Sequence, residues 1–496
     1  MKVNWMKKSS KITLIISIII LMASYAVYFH NYDYPEAGFW DENYYVATAQ
    51  RYLNGIFFLH EHPPLGQMLI ALGEKLLHAN ILSDQFIDLD KVNDFPPGFS
   101  FRGYRFLPVL CASLTALVFF GILLLLTKSH LFAFLLSLLY LFDNALIVHS
   151  RGAMLDSPLM LFISLTLLCF LLVLRWRKNT NRLIIYSIGF GVSLALAITT
   201  KYPGAILFIL IPALGWKLFN SPRKCLISMG IILSSFTIIF ILVWQINFSI
   251  MQNVNPNLKN GGLYTKNNIY NEIIINKKYQ SLLYLPKMLM ASMEYSADIN
   301  NHISPLNLCK TDENGSPPFF WPFGARSINY RWETPDGKSY RYLYLQANPV
   351  IWLMGLWGVI ATTSLMFASM FFRLQEPIKN QFLMITFLAL YWSYMFVLTY
   401  LNRVMYLYHY FPALLFSFCL FALWIKEVKQ FLHFAFTRQI KGILLSILAF
   451  LIMASYFFYS PLTYYWPLTD EQFRQRMIFP LWDLRCVNCE RTSFLK

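Results

Sequence analysis

The stretch "GFWDENYYVATAQRYLNGIFFLHEHPPLGQ", residues 38–67, gathers acidic residues and histidines directly after the first apolar segment. Its chemically versatile side chains include Asp41, Glu42, Glu61 and His62. The chain around it is 57% hydrophobic and only 13% charged. Because ionisable groups are scarce in so apolar a chain, this cluster is the first candidate for a functional site.

Composition indicates a polytopic membrane protein. The 496 residues include 44 Phe, and the mean hydropathy is positive at +0.47. A membrane-spanning helix needs about 20 apolar residues, and such runs recur along most of the chain. The net charge of +16 comes from basic residues in short loops between these runs, which is the pattern of cytoplasmic loops. We therefore expect a lipid bilayer, and no nucleic acid, as the partner of the basic residues.

The apolar runs predict an all-α fold, a single membrane domain over residues 1–496. About eleven transmembrane helices follow from the span length of about 20 residues, at 12–28, 104–127, 131–149, 155–174, 183–200, 203–219, 225–247, 349–372, 381–400, 404–425 and 442–459. Lysines before the first run keep the amino terminus in the cytoplasm. Residues 29–103, 248–348 and 460–496 then lie outside, and the first of these segments is acidic.

Two amphipathic helices are predicted in the first outer segment, both along the membrane surface. One begins near Tyr44 and ends at Gly55, and the other begins at the prolines of "HPPLG". Asp41 and Glu42 stand at the start of the first helix, where acids cap free amides and complement the helix dipole. The same environment favours an ionised carboxylate that can accept a proton, so the two interpretations are compatible.

Seven blocks of the sequence, in order, resemble the protein O-mannosyltransferase family. They are "WDENYY" (40–45), "HPPLGQMLIALG" (62–73), "YRFLPVLCASLTAL" (104–117), "DNALIVHSRGAMLDSPLMLF" (143–162), "WPFGARSINYRW" (321–332), "NPVIWLMGLWG" (348–358) and "RVMYLYHYFPALLF" (403–416). The resemblance implies a GT-C type glycosyltransferase fold. The outer segment 248–348 looks too short for the MIR domain of eukaryotic members, which points to the compact bacterial form.

What the resemblance implies is transfer of mannose from a polyprenyl-phosphate carrier to Ser or Thr hydroxyls of exported proteins. The reaction would take place at the outer face of a bacterial inner membrane, with inversion at the anomeric carbon. The attacking hydroxyl needs a base, typically contributing about 10²–10⁴-fold, and the phosphate leaving group needs cations. Arginine suits that role because it stays charged and can bind phosphate through two hydrogen bonds.

Candidate site residues follow from this chemistry. Asp41 is predicted to be the base, and Glu42 a supporting carboxylate that orients the acceptor or binds a cation. Three arginines near the outer ends of spans are predicted phosphate ligands, each with the alternative of an interface arginine reaching toward water: Arg105, Arg151 and Arg403. Three further residues are predicted to have supporting roles. His62 either positions the base or the phosphate or anchors its turn, and Asp156 either orients Arg151 or caps a helix. For His409, a structural role is the default.

Several alternatives stay open at this stage. Another lipid-linked sugar could be transferred to a glycolipid such as lipid A or to a polysaccharide, or the chain could be a membrane transporter. The chemistry requires no cofactor, although Mg²⁺ or Mn²⁺ could bind at Asp41 and Glu42. The "CVNC" pair, Cys486 and Cys489, could be oxidised or reduced, and a dimer is compatible with the sequence.

Overall fold

The computed structural model describes residues 2–81, 95–254, 266–310, 313–373, 377–431 and 434–487. Most of these residues are helical. The helices are α1 (Lys2–Tyr28), α2 (Glu42–Leu53), α3 (Leu65–Leu77), α4 (Arg102–Thr127), α5 (His130–Leu141), α6 (Asn144–Ser150), α7 (Asp156–Trp176), α8 (Thr180–Thr200), α9 (Leu210–Leu218), α10 (Pro222–Ile250), α11 (Asn268–Ile275), α12 (Leu285–His302), α13 (Pro349–Phe371), α14 (Gln381–Tyr400), α15 (Phe411–Glu427), α16 (Arg438–Tyr464) and α17 (Asp470–Arg474).

The apolar runs of the sequence become helices as predicted. Within the described residues, nine helices are long and apolar enough to cross a membrane, and a tenth span results if α5 and α6, which meet at 58°, count as one. The predicted span 203–219 is shorter than the others. It consists of a 3-10 stretch, Tyr202–Ile209, followed by α9. The structure therefore confirms a multi-pass integral membrane protein, with nine or ten full spans where about eleven were expected.

The chain divides into two compact units. The first unit contains residues 1–30, 113–149 and 305–496, and the second contains residues 31–112 and 150–304. In the first unit, α15 packs against α13 and α14, and α5 packs against α1 and α16. In the second unit, α8 lies between α7 and α10, while α3 contacts α2 and α8.

The two amphipathic helices of the first outer segment are present, and they differ in what they bury. α2 buries Tyr45, Val46 and Tyr52 in the protein. α3 instead buries Ile70 together with its small and polar residues, and it leaves Leu72 and Leu76 43% and 58% exposed. A Cβ on Gly73 would lie 2.5 Å from the carbonyl oxygen of Gly103, so glycine allows α3 to approach α4 closely. Of the two, only α3 presents the apolar face expected at a membrane surface.

A small sheet in the first unit departs from the all-α expectation. Strands β1 (Ile328–Glu333) and β2 (Tyr340–Leu345) form an antiparallel hairpin with a register shift between Asn329 and Arg331. Farther along the chain, β3 (Gln430–Phe431) pairs with β4 (Phe434–Ala435), and β5 (Pro467–Leu468) adds to β2. The sequence carried a signal for the hairpin, because "NYRWETPDGKSYRYLYL" places a Pro-Asp-Gly turn between two runs rich in aromatic residues.

The carboxyl-terminal tail packs on this sheet. Tyr342 and Tyr344 belong to a buried cluster that also contains Phe473 and Trp482. The hydroxyl of Tyr344 donates to the carbonyl oxygen of Arg485 at 2.6 Å. Cys486 is disulfide-bonded, while Cys489 lies outside the described residues.

Candidate active site

Among the described residues of the first outer segment, Glu42 is the most enclosed carboxylate, with no exposed side-chain surface. Its two oxygens accept hydrogen bonds from Nε and Nη2 of Arg105, each at 2.8 Å. They also accept from the backbone N–H groups of Phe39 at 3.1 Å and Ala153 at 2.8 Å. Bidentate, charge-assisted hydrogen bonds of this kind offset the cost of burying two charges. Glu42 therefore joins residues 39–42, the first turn of α4 and the segment before α7.

Arg105 is held as firmly as its partner. Nη1 donates to the carbonyl oxygens of Asp33 and Pro35 at 2.8 Å, and Nη2 donates to the carbonyl oxygen of Ala37 at 2.9 Å. Its guanidinium also lies over the ring of Phe101, 4.3 Å from the centroid. Because all three guanidinium nitrogens are engaged inside the protein, the predicted role of Arg105 as a phosphate ligand does not fit this geometry.

Asp41 directly precedes α2, yet its side chain makes no capping hydrogen bond to the helix. It is partly exposed, in contrast to the fully buried Glu42. The preceding residue, Trp40, has a left-handed backbone with φ of 53°. Non-glycine residues adopt this conformation at some energetic cost, and such strain is common at functional sites. A side-chain cap on α2 thus does not account for the aspartate.

The expected cation site at Asp41 and Glu42 has little support in this geometry. Both oxygens of Glu42 are occupied by Arg105 and backbone N–H groups. Within the described part of the chain, no three His, Cys, Asp or Glu side chains are grouped as ligands of a metal ion would be. A divalent cation at Asp41 and Glu42 would therefore compete with these hydrogen bonds for the Glu42 oxygens.

Arg151 lies close to the same segment. It is 3% exposed, and its Nη2 donates to the carbonyl oxygen of Asn31 at 2.5 Å. Two residues later, the N–H of Ala153 binds Glu42. The hydrogen bonds on Glu42 thus bring the backbone segment that carries Arg151 close to the segment that carries Asp41.

A second buried ion pair connects the start of α7 with the end of α8. Nζ of Lys201 lies 2.9 Å and 3.1 Å from the two carboxylate oxygens of Asp156. Both side chains are nearly inaccessible, at 5% and 9% exposure. Asp156 was expected to orient Arg151 or to cap a helix, and the structure gives it a lysine partner that the sequence analysis missed. The signal was a lysine between two apolar runs, at the end predicted to lie outside, where the charge pattern of the loops does not call for one.

The His-Pro-Pro turn and the start of α3 pack against the residues next to this ion pair. A Cβ on Gly66 would lie 2.8 Å from Leu155 and 3.2 Å from Thr200, the neighbours of the two charged residues. The side chain of His62 approaches Glu61 at 3.4 Å and stacks with Tyr45. The motif therefore contributes close packing, and the interpretation of His62 as a residue that anchors its turn fits these contacts.

His60, to which the sequence analysis assigned no role, accepts hydrogen bonds that hold this turn together. Its Nδ1 accepts hydrogen bonds from the backbone N–H of His62 at 3.1 Å and from Nε2 of Gln67 at 2.6 Å. Burial, reinforced by the nearby charge of Arg51, lowers the pKa of His60 from 6.5 to about 3. A neutral imidazole with the proton on Nε2 is consistent with both hydrogen bonds.

The remaining predicted residues belong to the first unit. Arg403 is half-buried in the bend between α14 and a 3-10 turn, Leu407–Tyr410. His409 closes a capping box with Tyr406, since Nδ1 of the histidine lies 3.2 Å from the tyrosine N–H. This agrees with the structural role that was the default for His409.

Two family blocks meet in the interior of this unit. Asp143 accepts hydrogen bonds from Nε1 of Trp352 at 2.8 Å and from the N–H of Asn348 at 3.4 Å. His149, from the same block as Asp143, lies 2.6 Å from the hydroxyl of Tyr330 and stacks on Tyr408 at 4.7 Å. The sequence analysis assigned no role to Asp143 or His149, and the structure shows that they link helices to each other and to β1.

Comparison with known proteins gives a consistent result. Residues 18–255 match the family described as dolichyl-phosphate-mannose-protein mannosyltransferase, and residues 285–482 match the C-terminal four-transmembrane region of protein-O-mannosyltransferase. Protein O-mannosyl-transferase 1 of Homo sapiens is 32% identical over 188 residues, which cover 36% of this chain and 24% of the human protein. The Danio rerio protein of the same name is 28% identical over 219 residues, covering 42% of this chain and 30% of that protein. The chain thus matches less than a third of the length of these relatives.

The fold agrees with these matches. The solved structure of the S. cerevisiae protein O-mannosyltransferase Pmt1-Pmt2 complex bound to the sugar donor superposes with a TM-score of 0.78. The match covers 96% of this chain and 93% of that chain at 14% identity, and it confirms the predicted GT-C type fold. With two models of one family matching consecutive parts of the sequence, the chain belongs to the protein O-mannosyltransferase family.

Proposed function

We propose that this protein transfers mannose from a lipid-phosphate carrier to Ser or Thr hydroxyls of protein acceptors. The observation that supports it most is the set of hydrogen bonds on Glu42. In a chain of this family, they join the segment that carries Asp41, an acid not used for capping, to the segment that carries Arg151. A partly exposed carboxylate and a guanidinium brought together in this way suit attack on a sugar bonded to phosphate.

In the proposed reaction, the acceptor hydroxyl oxygen attacks the anomeric carbon while its proton passes to the carboxylate of Asp41. The bond between that carbon and the phosphate oxygen breaks, and the electron pair leaves on the phosphate. Arg151 binds the phosphate as its charge develops, with Arg403 as the further proposed ligand. A single displacement inverts the anomeric carbon. Glu42 holds the acidic segment in place and touches neither substrate.

The setting of the reaction is part of the proposal. A polyprenyl-phosphate carrier and a bacterial inner membrane follow from the resemblance to the compact bacterial form of the family. The cytoplasmic amino terminus and an active site at the outer face follow from the charge pattern of the loops. The S. cerevisiae relative was solved as a Pmt1-Pmt2 complex, and a dimer is proposed here by that analogy.

The decisive experiment supplies radiolabelled polyprenyl-phosphate mannose to membranes that contain the protein. We expect label in protein, released by alkaline β-elimination because the sugar is bonded to Ser or Thr. Label that enters the lipid fraction instead would favour the glycolipid alternative and overturn the proposal.

Replacing Asp41 by Asn tests the base in the same assay. Transfer should fall by about 10²–10⁴-fold, the usual contribution of a general base, while membrane insertion and thermal unfolding stay unchanged. Asp298→Asn is the matched control, because Asp298 is an acid of the second outer segment that pairs only at the surface with Lys266. Turnover of Asp41→Asn at the rate of this control would reject Asp41 as the base.

A further inference from the structure

The second outer segment contains apolar side chains that the protein leaves uncovered. They lie on α11, on α12 and on the connection between these helices, all within the second unit. Six of them have between 49% and 86% of their surface exposed: Ile269, Ile275, Leu282, Leu283, Met290 and Met293. We call this set the loop apolar patch. A patch of this kind on an outer segment marks an interaction surface.

Lysines outnumber acids along the patch, with Glu272 the one acid between Ile269 and Met293 in the sequence and Glu294 directly after it. From Ile275 to Met293 the sequence contains Lys277, Lys278 and Lys287 and no acidic residue. All three lysines are exposed. Nζ of Lys278 and Nζ of Lys287 lie 5.6 Å and 6.0 Å from the ring centroid of Tyr284, so the lysines flank an aromatic residue. Exposed apolar residues with flanking lysines and an aromatic ring are typical of segments that lie in a lipid interface.

The patch is attached to the side of a membrane span. Nε2 of Gln245, on α10, donates to the carbonyl oxygens of Tyr279 and Gln280 at 3.3 Å and 3.0 Å. Gln245 precedes the last residue of α10 by five positions, which is about 7–8 Å at a rise of 1.5 Å per residue. The connection between α11 and α12 therefore lies beside the last turns of a span and not beyond its end.

That span faces lipid along most of its length. Only 17% of the most apolar stretch of α10 is buried within the protein. Leu242, Ile246 and Ile250 are exposed on its final turns, at 49%, 39% and 38%. Leu283, at 86%, follows closely after the backbone that Gln245 binds. The apolar surface of the span and the loop apolar patch thus belong to the same end of one unit.

We propose that the segment from Ile269 to Met293 inserts into the lipid surface at the carboxyl end of α10. Its apolar side chains enter the boundary between headgroups and acyl chains, a depth of about 5–10 Å for such segments. The lysines bind anionic headgroups in the same leaflet. This membrane contact requires only that the chain spans a bilayer, so it stands independently of the proposed mannose transfer.

The test measures depth in the bilayer with the full-length protein in lipid nanodiscs. Cys309, the exposed free cysteine, is replaced by Ser, and a fluorophore is attached at Leu283→Cys, with the Cys309→Ser parent giving the background. His302→Cys, at the exposed end of α12, is the matched control. We expect lipids with a nitroxide near the headgroup to quench the label at position 283 several-fold more than at position 302. A water-soluble quencher should show the opposite order.

Two results would overturn the insertion. Equal access of the water-soluble quencher to both positions would mean that the segment stays in water. Protection of position 283 from both quenchers would mean that protein, such as a second copy of this chain, covers the patch.

A second arm tests the lysines. In Leu283→Cys, quenching by lipid should increase when phosphatidylglycerol replaces part of the phosphatidylcholine. The triple variant Lys277→Gln, Lys278→Gln, Lys287→Gln should lose that increase. An increase of equal size in the triple variant would overturn the binding of anionic headgroups by these lysines.

Discussion

Two buried ion pairs of the second unit differ in the chemistry of their cations. The planar guanidinium of Arg105 donates two hydrogen bonds to Glu42 and one to each of three backbone carbonyl oxygens. Lys201 is a point charge that binds the two oxygens of Asp156. The first pair joins three separate segments, while the second joins the adjacent ends of α7 and α8. A guanidinium whose nitrogens are all hydrogen-bonded fixes the positions of its partners, whereas an ammonium on a flexible side chain tolerates rearrangement.

The largest expected effect follows from breaking the first pair. Glu42→Gln leaves the Arg105 charge buried without its counter-ion, and loss of one partner of a buried pair costs about 3–5 kcal/mol. We expect a matching fall in the free energy of unfolding, measured by SDS titration of the circular dichroism, together with loss of transfer activity.

Arg105→Lys sharpens this test because it keeps the positive charge. A lysine cannot bind both oxygens of Glu42 and also the carbonyl oxygens of Asp33, Pro35 and Ala37. We therefore expect Arg105→Lys to lower the free energy of unfolding nearly as much as Glu42→Gln. Wild-type stability in Arg105→Lys would show that a positive charge alone holds residues 33–42 in place. It would contradict the proposed difference between a guanidinium and an ammonium at this position.

The second pair should be less sensitive. Lys201→Met keeps the length of the side chain and removes the charge, and Asp156 retains its place in the first turn of α7, where the helix dipole stabilises a carboxylate. We expect a loss of about 1–3 kcal/mol, the usual cost of leaving a buried polar group without its partner. A loss equal to that of Glu42→Gln in the same titration would contradict the comparison.

The sequence predicted the helices and the family more completely than the contacts of individual site residues. The apolar runs located the helices because the bilayer imposes a length and a hydropathy on every span. The ordered motifs identified the family, and the resemblance implied roles for Asp41, Glu42 and Arg151. The surroundings of Arg105 could not be read from the sequence, because the carbonyls that engage it belong to residues 33–37 and only the folded chain shows that this segment closes around the arginine.

The missed residues have a common physical reason. Lys201 and His60 act through partners that are remote in sequence or of a neutral type, so the sequence did not identify those partners. The hairpin of β1 and β2 is different, because its turn was readable. Asp336 accepts the N–H groups of Lys338 and Ser339 at 3.0 Å and 2.7 Å, which holds the pKa of Asp336 at about 2. An aspartate before glycine between two aromatic-rich runs is a hairpin signal that composition alone conceals.

The last prediction concerns His60, a half-buried histidine that is neutral in the folded protein. The pKa of His60 is about 3 in the folded protein against an ordinary value of 6.5, so the unfolded chain binds more protons between these two values. Stability is therefore complete above about pH 6.5 and falls as the pH decreases, by about 1.4 kcal/mol per pH unit at most for one group. His60→Asn, which keeps a polar acceptor and cannot titrate, should flatten the decline of the unfolding temperature between pH 6.5 and 4.5. His78→Asn, at the exposed end of α3, should retain the wild-type slope, and an equally steep decline in His60→Asn would show that protonation of His60 does not limit stability in acid.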